Sequence, residues 1–332
     1  MAQILVDLVA VRQQIAAYAG YNSYVDFAYD FYFYRDYTPA QVMDYLEQIR
    51  QELVPLYEQV NVSDVWDVGR IPCTEDETFQ YVRTCAQEMG GSVWAAFCLM
   101  RKAELYDIRY GENKYDISFE VYLDSYQEPF VFMNPGQTVY DKLVFAHEFG
   151  HFVNDYNCGG SYSSTDVAEV FSQAMEYLSL CCCEGTEDLE RLKLADCLCT
   201  YVEQAAYASF EHQLYSLTGE ALTVENVAAL YEQTGLAYGF DSWGWDSRDF
   251  IQVTHFYTEP MYIISYVASN DVAFGMYQME KAQAGAGVAS LKKTITGEGN
   301  YLLTFAKDAG LESPFAAGRL QSVRQSLEAV LG

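Results

Sequence analysis

The chain has 332 residues, 47 acidic against 19 basic side chains, a formal net charge of −28 and 51% hydrophobic residues. With no basic patch to neutralise phosphates, it is not built to hold nucleic acid, and anionic lipid surfaces repel it. The length exceeds the common domain range of about 100–200 residues, yet no Pro/Ser-rich linker or charge run divides the chain and only seven prolines occur, so a single domain over residues 1–332 is expected.

The periodic segments are mainly helical, which predicts a mostly α fold with a small sheet. Residues 3–18 read as an amphipathic helix. The start, Met1-Ala2-Gln3-Ile4-Leu5-Val6-Asp7, lacks the basic flank of a signal peptide, and Asp7 and Arg12 interrupt it. Helices over 38–60 and 74–106 complete an N-terminal helical part, 1–110. Ile117 to Leu123 and Pro129 to Met133 read as two short strands around the turn Asp124-Ser125-Tyr126-Gln127-Glu128. Thr138 with Asp141 reads as a capping box after Pro135-Gly136, opening a helix over 138–156. Val139, Leu143, Phe149, Phe152 and Val153 recur there at helical spacing, and Cys158-Gly159-Gly160 stops it. Ser163-Ser164-Thr165-Asp166 caps a helix over 166–184 that Gly185 ends, closing a middle part, 111–184. The remaining part, 185–332, holds helices over 187–217, 223–234, 259–284 and 314–331. Thr258-Glu259-Pro260 reads as the start of the third of these, which would set Tyr262 and Tyr266 four apart on one face. Gly285 to Gly299 is the most linker-like stretch. No apolar run reaches membrane-spanning length.

His147-Glu148-Phe149-Gly150-His151 carries the chemistry. Residues four apart on a helix share a face, so both imidazoles can turn a ring nitrogen to one ion. Glu148 projects beside them, where it can hold the attacking water. This is the H-E-x-x-H pattern of zinc peptidases, two ligands and a general base. The chain has only four histidines, and two fall in this turn. A catalytic zinc takes three protein ligands and leaves a position open. The acidic residues, His212 and His255 are candidates for the third. Glu169 is favoured, because Glu169, Ser172, Gln173 and Glu176 share the polar face of the next helix. Glu176 is the runner-up, and otherwise a partner for a ligand imidazole N–H.

At these residues the chain resembles a known family. His147-Glu-Phe-Gly-His151 followed by Asp166-Val-Ala-Glu-Val-Phe-Ser-Gln-Ala-Met-Glu176 looks like the active-site helix pair of the thimet oligopeptidase/oligoendopeptidase F family, zinc metallopeptidases of the gluzincin type. Asp36-Tyr37-Thr38-Pro39-Ala40-Gln41-Val42, Val54-Pro55-Leu56, Pro129 to Asn134, His255-Phe256-Tyr257 with Tyr262 and Tyr266, and the stretch from Gly299-Asn300-Tyr301 to Leu311 extend the likeness over most of the chain. The resemblance implies a zincin-like catalytic domain, a helical bundle with a small sheet beside the active-site helix. It implies one Zn2+ per chain, held by His147, His151 and Glu169, with Glu148 as base. It implies that Tyr266 donates to the oxyanion with help from His255, with Tyr262 beside them. It implies that residues 130–134, with Phe132 and Asn134, form the cleft-edge strand that takes a peptide as an added strand, and that Tyr257 lies on the substrate side. The loop Asn157 to Thr165 is shorter than usual in the family, Asn154 replaces a further histidine, and the family's large N-terminal portion is absent. These departures bear on channel depth rather than on the ligands.

The expected function is therefore zinc-dependent endopeptidase action on short peptides. An exopeptidase on the same chemistry and a non-catalytic peptide-binding protein are the alternatives. The loop Thr234 to Asp246, with Gly235, Gly239, Gly244, Tyr238, Phe240, Trp243 and Trp245, is a candidate cover over bound peptide, or else an aromatic turn packed on the core. The nine cysteines are odd in number and show no framework spacing, which fits reduced thiols in a cytoplasm; a cysteine metal site is the alternative reading.

Overall fold

Local signals set most helix boundaries in the computed structural model, which describes residues 1–60, 63–160, 164–240, 244–295 and 301–332. Ala2–Tyr18 buries Leu5, Val6, Val9 and Ala16. Thr38 and Gln41 form a capping box for Pro39–Glu52, with Pro39 at the first position, where no N–H is needed. The expected 38–60 helix breaks at Leu53, and Pro55 lies at the start of a second helix, Val54–Gln59. The expected 74–106 helix also breaks. Thr74 and Glu77 box the start of Glu75–Met89, and Gly90, at φ +64°, separates it from Gly91–Lys102. Residues 187–217 run as Glu187–Cys199 and Ala205–Leu214, joined by a wide π turn at Thr200–Gln204. The last helix begins at Arg319 rather than at 314.

The helix expected over 259–284 is corrected more sharply. His255–Thr258 is one short helix, and the long helix Ile264–Ala282 starts only after Tyr262. Met261 adopts φ +71°, which no helix accommodates. The Glu211 carboxylate fixes that turn by accepting from the Met261 N–H at 3.0 Å. Tyr262 and Tyr266 therefore do not share a helix.

Further short elements lie outside the helices expected from sequence: Tyr24–Phe27 with the following Ala28–Tyr32, then Ser63–Gly69, Ala286–Ile295 and Leu302–Ala309. Ala286–Ile295 occupies most of the supposed linker; the rest of that stretch, 296–299, lies outside the described residues, as do Gly299 and Asn300 of the family-like segment. No helix among the described residues is long and apolar enough to cross a membrane.

By contact the chain sorts into two compact units, each assembled from distant segments. One comprises Met1–Val60, Leu198–Ala268 and Phe315–Glu328; the other comprises Asn61–Cys197, Ser269–Pro314 and Ala329–Gly332. In the first, Arg35 bonds Met261 O and Ser265 Oγ and lies 4.4 Å from the rings of both Tyr29 and Phe33. Trp245 stacks on Tyr231 at 4.5 Å and on Phe240 at 4.9 Å, and its indole N–H bonds Tyr231 O. Both flanks of the candidate cover loop are thus packed aromatics; residues 241–243, including Trp243, lie outside the described residues.

The second unit holds the sheet: β1 (Tyr106–Asp107), β2 (Ser118–Leu123) and β3 (Glu128–Met133), in the order β1-β3-β2. β3 pairs antiparallel with β2 and parallel with β1. The expectation that residues 130–134 form a free edge is corrected, because β3 is the central strand with its backbone groups engaged on both sides. The edge beside β3 is β2. Phe132 stacks on Phe119 at 5.0 Å under the Lys114 ammonium. The Asn134 side chain bonds Gly111 N and O. Both support the sheet and the loop between β1 and β2.

Candidate metal centre

Two helices of the second unit, Asp141–Cys158 and Thr165–Cys182, build the centre. The first starts at Asp141 rather than 138. Asp141 accepts from the N–H groups of Gly136 and Thr138, so the carboxylate half of the expected box is present, while Thr138 provides no side-chain cap. It ends at Gly159 in the left-handed conformation, φ +65°. Leu143, Phe145, Phe149, Phe152 and Val153 are at most 1% exposed, so the motif turn is anchored on an apolar base. Ser164 caps the second helix by accepting from Val167 N–H; its expected companion Ser163 lies outside the described residues.

Gly150 explains how the helices meet. A Cβ there would stand 2.5 Å from both Phe171 O and Ser172 Cα, so only glycine permits this backbone-to-backbone approach. That approach carries Glu169 to the imidazoles. Glu169 Oε2 lies 3.7 Å from His147 Nε2 and 3.9 Å from His151 Nε2. The three ligand atoms fall within 4.8 Å of one another, and among the described residues they are the one such His/Cys/Asp/Glu group. Donors around a tetrahedral zinc stand roughly 3.3–3.6 Å apart, so the set fits the ion with small adjustments. His212 and His255 do not join the group. His212 pairs with the Tyr29 hydroxyl at 2.8 Å.

Glu176 takes the supporting role rather than that of third ligand. It accepts from His147 Nδ1–H at 2.8 Å, which fixes the tautomer and points Nε2 at Glu169. Its other oxygen meets Lys193 Nζ at 2.7 Å, and Lys193 meets Asp196 Oδ2 at 2.8 Å. The Tyr140 hydroxyl reaches Asp196 Oδ1 at 3.4 Å. Lys193 is 2% exposed, a buried cation in the middle of this chain of contacts. Sequence reasoning misses it. The available signal is a lysine among Leu192, Leu194, Ala195 and Leu198, all within 1% exposure.

Burial lowers the basicity of His151 to about 4, so it presents a neutral donor. Burial also pushes His147 down, but the Glu176 hydrogen bond and the surrounding carboxylates outweigh it and bring His147 to about 9. Burial lifts Glu148 to about 7, with His147 opposing and Glu169 adding to the rise. The Glu120 N–H of edge strand β2 works against that rise.

His255, Tyr262 and Tyr266 cluster in the first unit. Their ring centroids are 5.1–5.8 Å apart, and the Tyr266 hydroxyl pairs with His255 Nε2 at 3.3 Å. Tyr257 is tied through its carbonyl, which accepts from Arg12, and its hydroxyl is buried.

No protein-family model and no curated protein matches the sequence. Solved structures do match in fold. A candidate oligoendopeptidase F crystallised by microfluidic seeding is 22% identical with a TM-score of 0.85, over 99% of this chain and 64% of that one. PZ peptidase A bound to an inhibitor gives 21% identity and 0.86, over 99% and 65%. Oligoendopeptidase F from Enterococcus faecium gives 16% and 0.65, over 99% and 58%. The chain thus spans less than two thirds of the length of each, and over that span it has the zincin-like fold of the oligoendopeptidase F structures.

Proposed function

We propose that this protein is a zinc-dependent endopeptidase acting on short peptides, with His147, His151 and Glu169 as the metal ligands and Glu148 as general base. The observation that carries the reading is the convergence of those three side-chain donors where two helices pack closely at Gly150, with Glu148 next to His147 in the same turn. A bound zinc ion supplies Lewis acidity to the scissile carbonyl and acidifies the attacking water. Glu148 takes the water's proton and returns it to the departing amine. Glu176, held by Lys193, keeps His147 in one tautomer. Edge strand β2 presents backbone groups to an extended peptide. The family resemblance would give Tyr266, with His255 and Tyr262, the part of the oxyanion's second donor, and Tyr257 a place on the substrate side.

The test uses internally quenched peptides with mass-spectrometric identification of the cut bonds. Cleavage at internal bonds, abolished by a chelator and restored by zinc, is expected. Release of single terminal residues instead would establish exopeptidase action. Glu148→Gln should keep stoichiometric zinc and lose roughly 10²–10⁴-fold in kcat; a variant that keeps its turnover would sink the base assignment.

A further inference from the structure

The helix that carries Glu169 and Glu176 ends in Cys181-Cys182, and the next residue, Cys183, turns into extended backbone at φ −120°, ψ 148°. Adjacent members of that run diverge around the helix, but Cys183 meets a thiol from elsewhere. Its Sγ lies 3.4 Å from Sγ of Cys85, on the helix Glu75–Met89, 98 positions earlier. Cys85 is 2% exposed and lies 3.6 Å from Ser179 O. Cys183 is partly exposed. The buried hydrogen bond of Tyr81 to Ser179, at 2.8 Å, pins the same two helices together one turn away. The two sulfurs are thus held in contact by packing that does not depend on them.

We propose that Cys85 and Cys183 form a redox pair that closes to a disulfide on encountering a peroxide, bracing the C-terminal end of the Glu169 helix against Glu75–Met89. Exposure divides the labour. Cys183 is the more exposed of the two, and the hydrogen bond donated by the Cys85 thiol lowers its pKa, whereas burial raises that of Cys85 well above the ordinary thiol value. The Cys183 thiolate attacks one peroxide oxygen and the O–O bond breaks. After protonation this leaves a sulfenic acid on Cys183 and one water. The Cys85 sulfur then attacks the Cys183 sulfur, the S–O bond breaks, and a second water leaves. In total two thiols give up two electrons and two protons, and one peroxide becomes two waters. The sulfurs must close to about 2.05 Å, a movement of roughly 1.4 Å that side-chain rotation supplies.

The experiment adds hydrogen peroxide in about equimolar amount to the reduced 332-residue chain, alkylates the remaining thiols and digests without reduction. A cross-linked pair of peptides bearing Cys85 and Cys183 is expected, with loss of two of the nine free thiols. In Cys85→Ser, Cys183 should stop at the sulfenic acid and be captured by a dimedone reagent. In Cys183→Ser, Cys85 should stay reduced at the same dose. Recovery of both Cys85 and Cys183 as alkylated thiols after the peroxide is consumed would overturn the proposal. So would a Cys183 linked only to Cys181 or Cys182. The wild-type digest decides this by itself, so a variant that fails to fold leaves the answer intact.

Discussion

Lys193→Met removes a buried cation from between two carboxylates while keeping a side chain of similar length. Lys193 is 2% exposed and contacts Glu176 at 2.7 Å and Asp196 at 2.8 Å. Removing one member of a buried ion pair costs about 3–5 kcal/mol. Asp196 has a side chain 20% exposed and keeps its Tyr140 contact, so water can replace one of the two lost interactions. The lower end of the range, about 3 kcal/mol, is therefore expected from urea denaturation of the metal-free protein. A second effect falls on the metal. Without Lys193, Glu176 is a weaker orienting partner for His147, and loss of such a partner typically lowers metal affinity about 10–100-fold; competition with a chromophoric chelator measures it. The pH dependence adds a third reading. Burial pushes the Glu176 carboxyl up, yet Lys193 and His147 together hold it below the ordinary value. Its contribution to stability is present above the unfolded-state value, about 4.3, and is lost as pH falls through the depressed folded one. In Lys193→Met that loss should begin at higher pH. A variant with unchanged zinc affinity, whatever its stability, would refute the claim that Lys193 acts on the ligand His147.

Gly150→Ala places a methyl 2.5 Å from the backbone of Phe171 and Ser172, so the ligand-bearing helices must separate. Overpacking of this kind costs about 1–3 kcal/mol or more, and calorimetry should show a lowered Tm together with weakened zinc binding. Glu211→Gln tests a different buried carboxyl, 1% exposed, which burial raises to about 8. A folded value above the unfolded one means that this group's contribution is fully present below roughly pH 4 and is lost as pH rises to about 8. The stability of the wild type should therefore fall relative to Glu211→Gln by several kcal/mol, in order of magnitude, between about pH 5 and 8; parallel curves would refute it. A chelator should lower the Tm of the wild type, and equimolar zinc should restore it, because ligand binding to the native state alone stabilises by mass action.

How much of this was legible in sequence follows the reach of each interaction. His147 and His151 are one helical turn apart, and Glu169 and Glu176 sit on the polar face of the next helix, so local periodicity exposes all four. Lys193 escapes because its partners lie on other turns and another helix, and a lone lysine in Leu-Lys-Leu reads as a surface residue. Strand order escapes for a similar reason. β1 has only two residues and pairs across a long gap, so nothing local marks β3 as central. Pro129 even suggests an edge, but it is the second residue of β3 and lies outside the part registered with β1, where its missing N–H is tolerated. Pro260 resembles a helix start and so points to a helix through Tyr262; the positive φ of Met261, stabilised by Glu211 from a distant segment, decides otherwise.

The absent side chain at Gly150 has one more consequence. Because main chain touches main chain there, the distance between the imidazole pair and the carboxylate is dictated by peptide atoms rather than by adjustable rotamers. Transplanting the motif into another scaffold should therefore fail unless this bare contact travels with it.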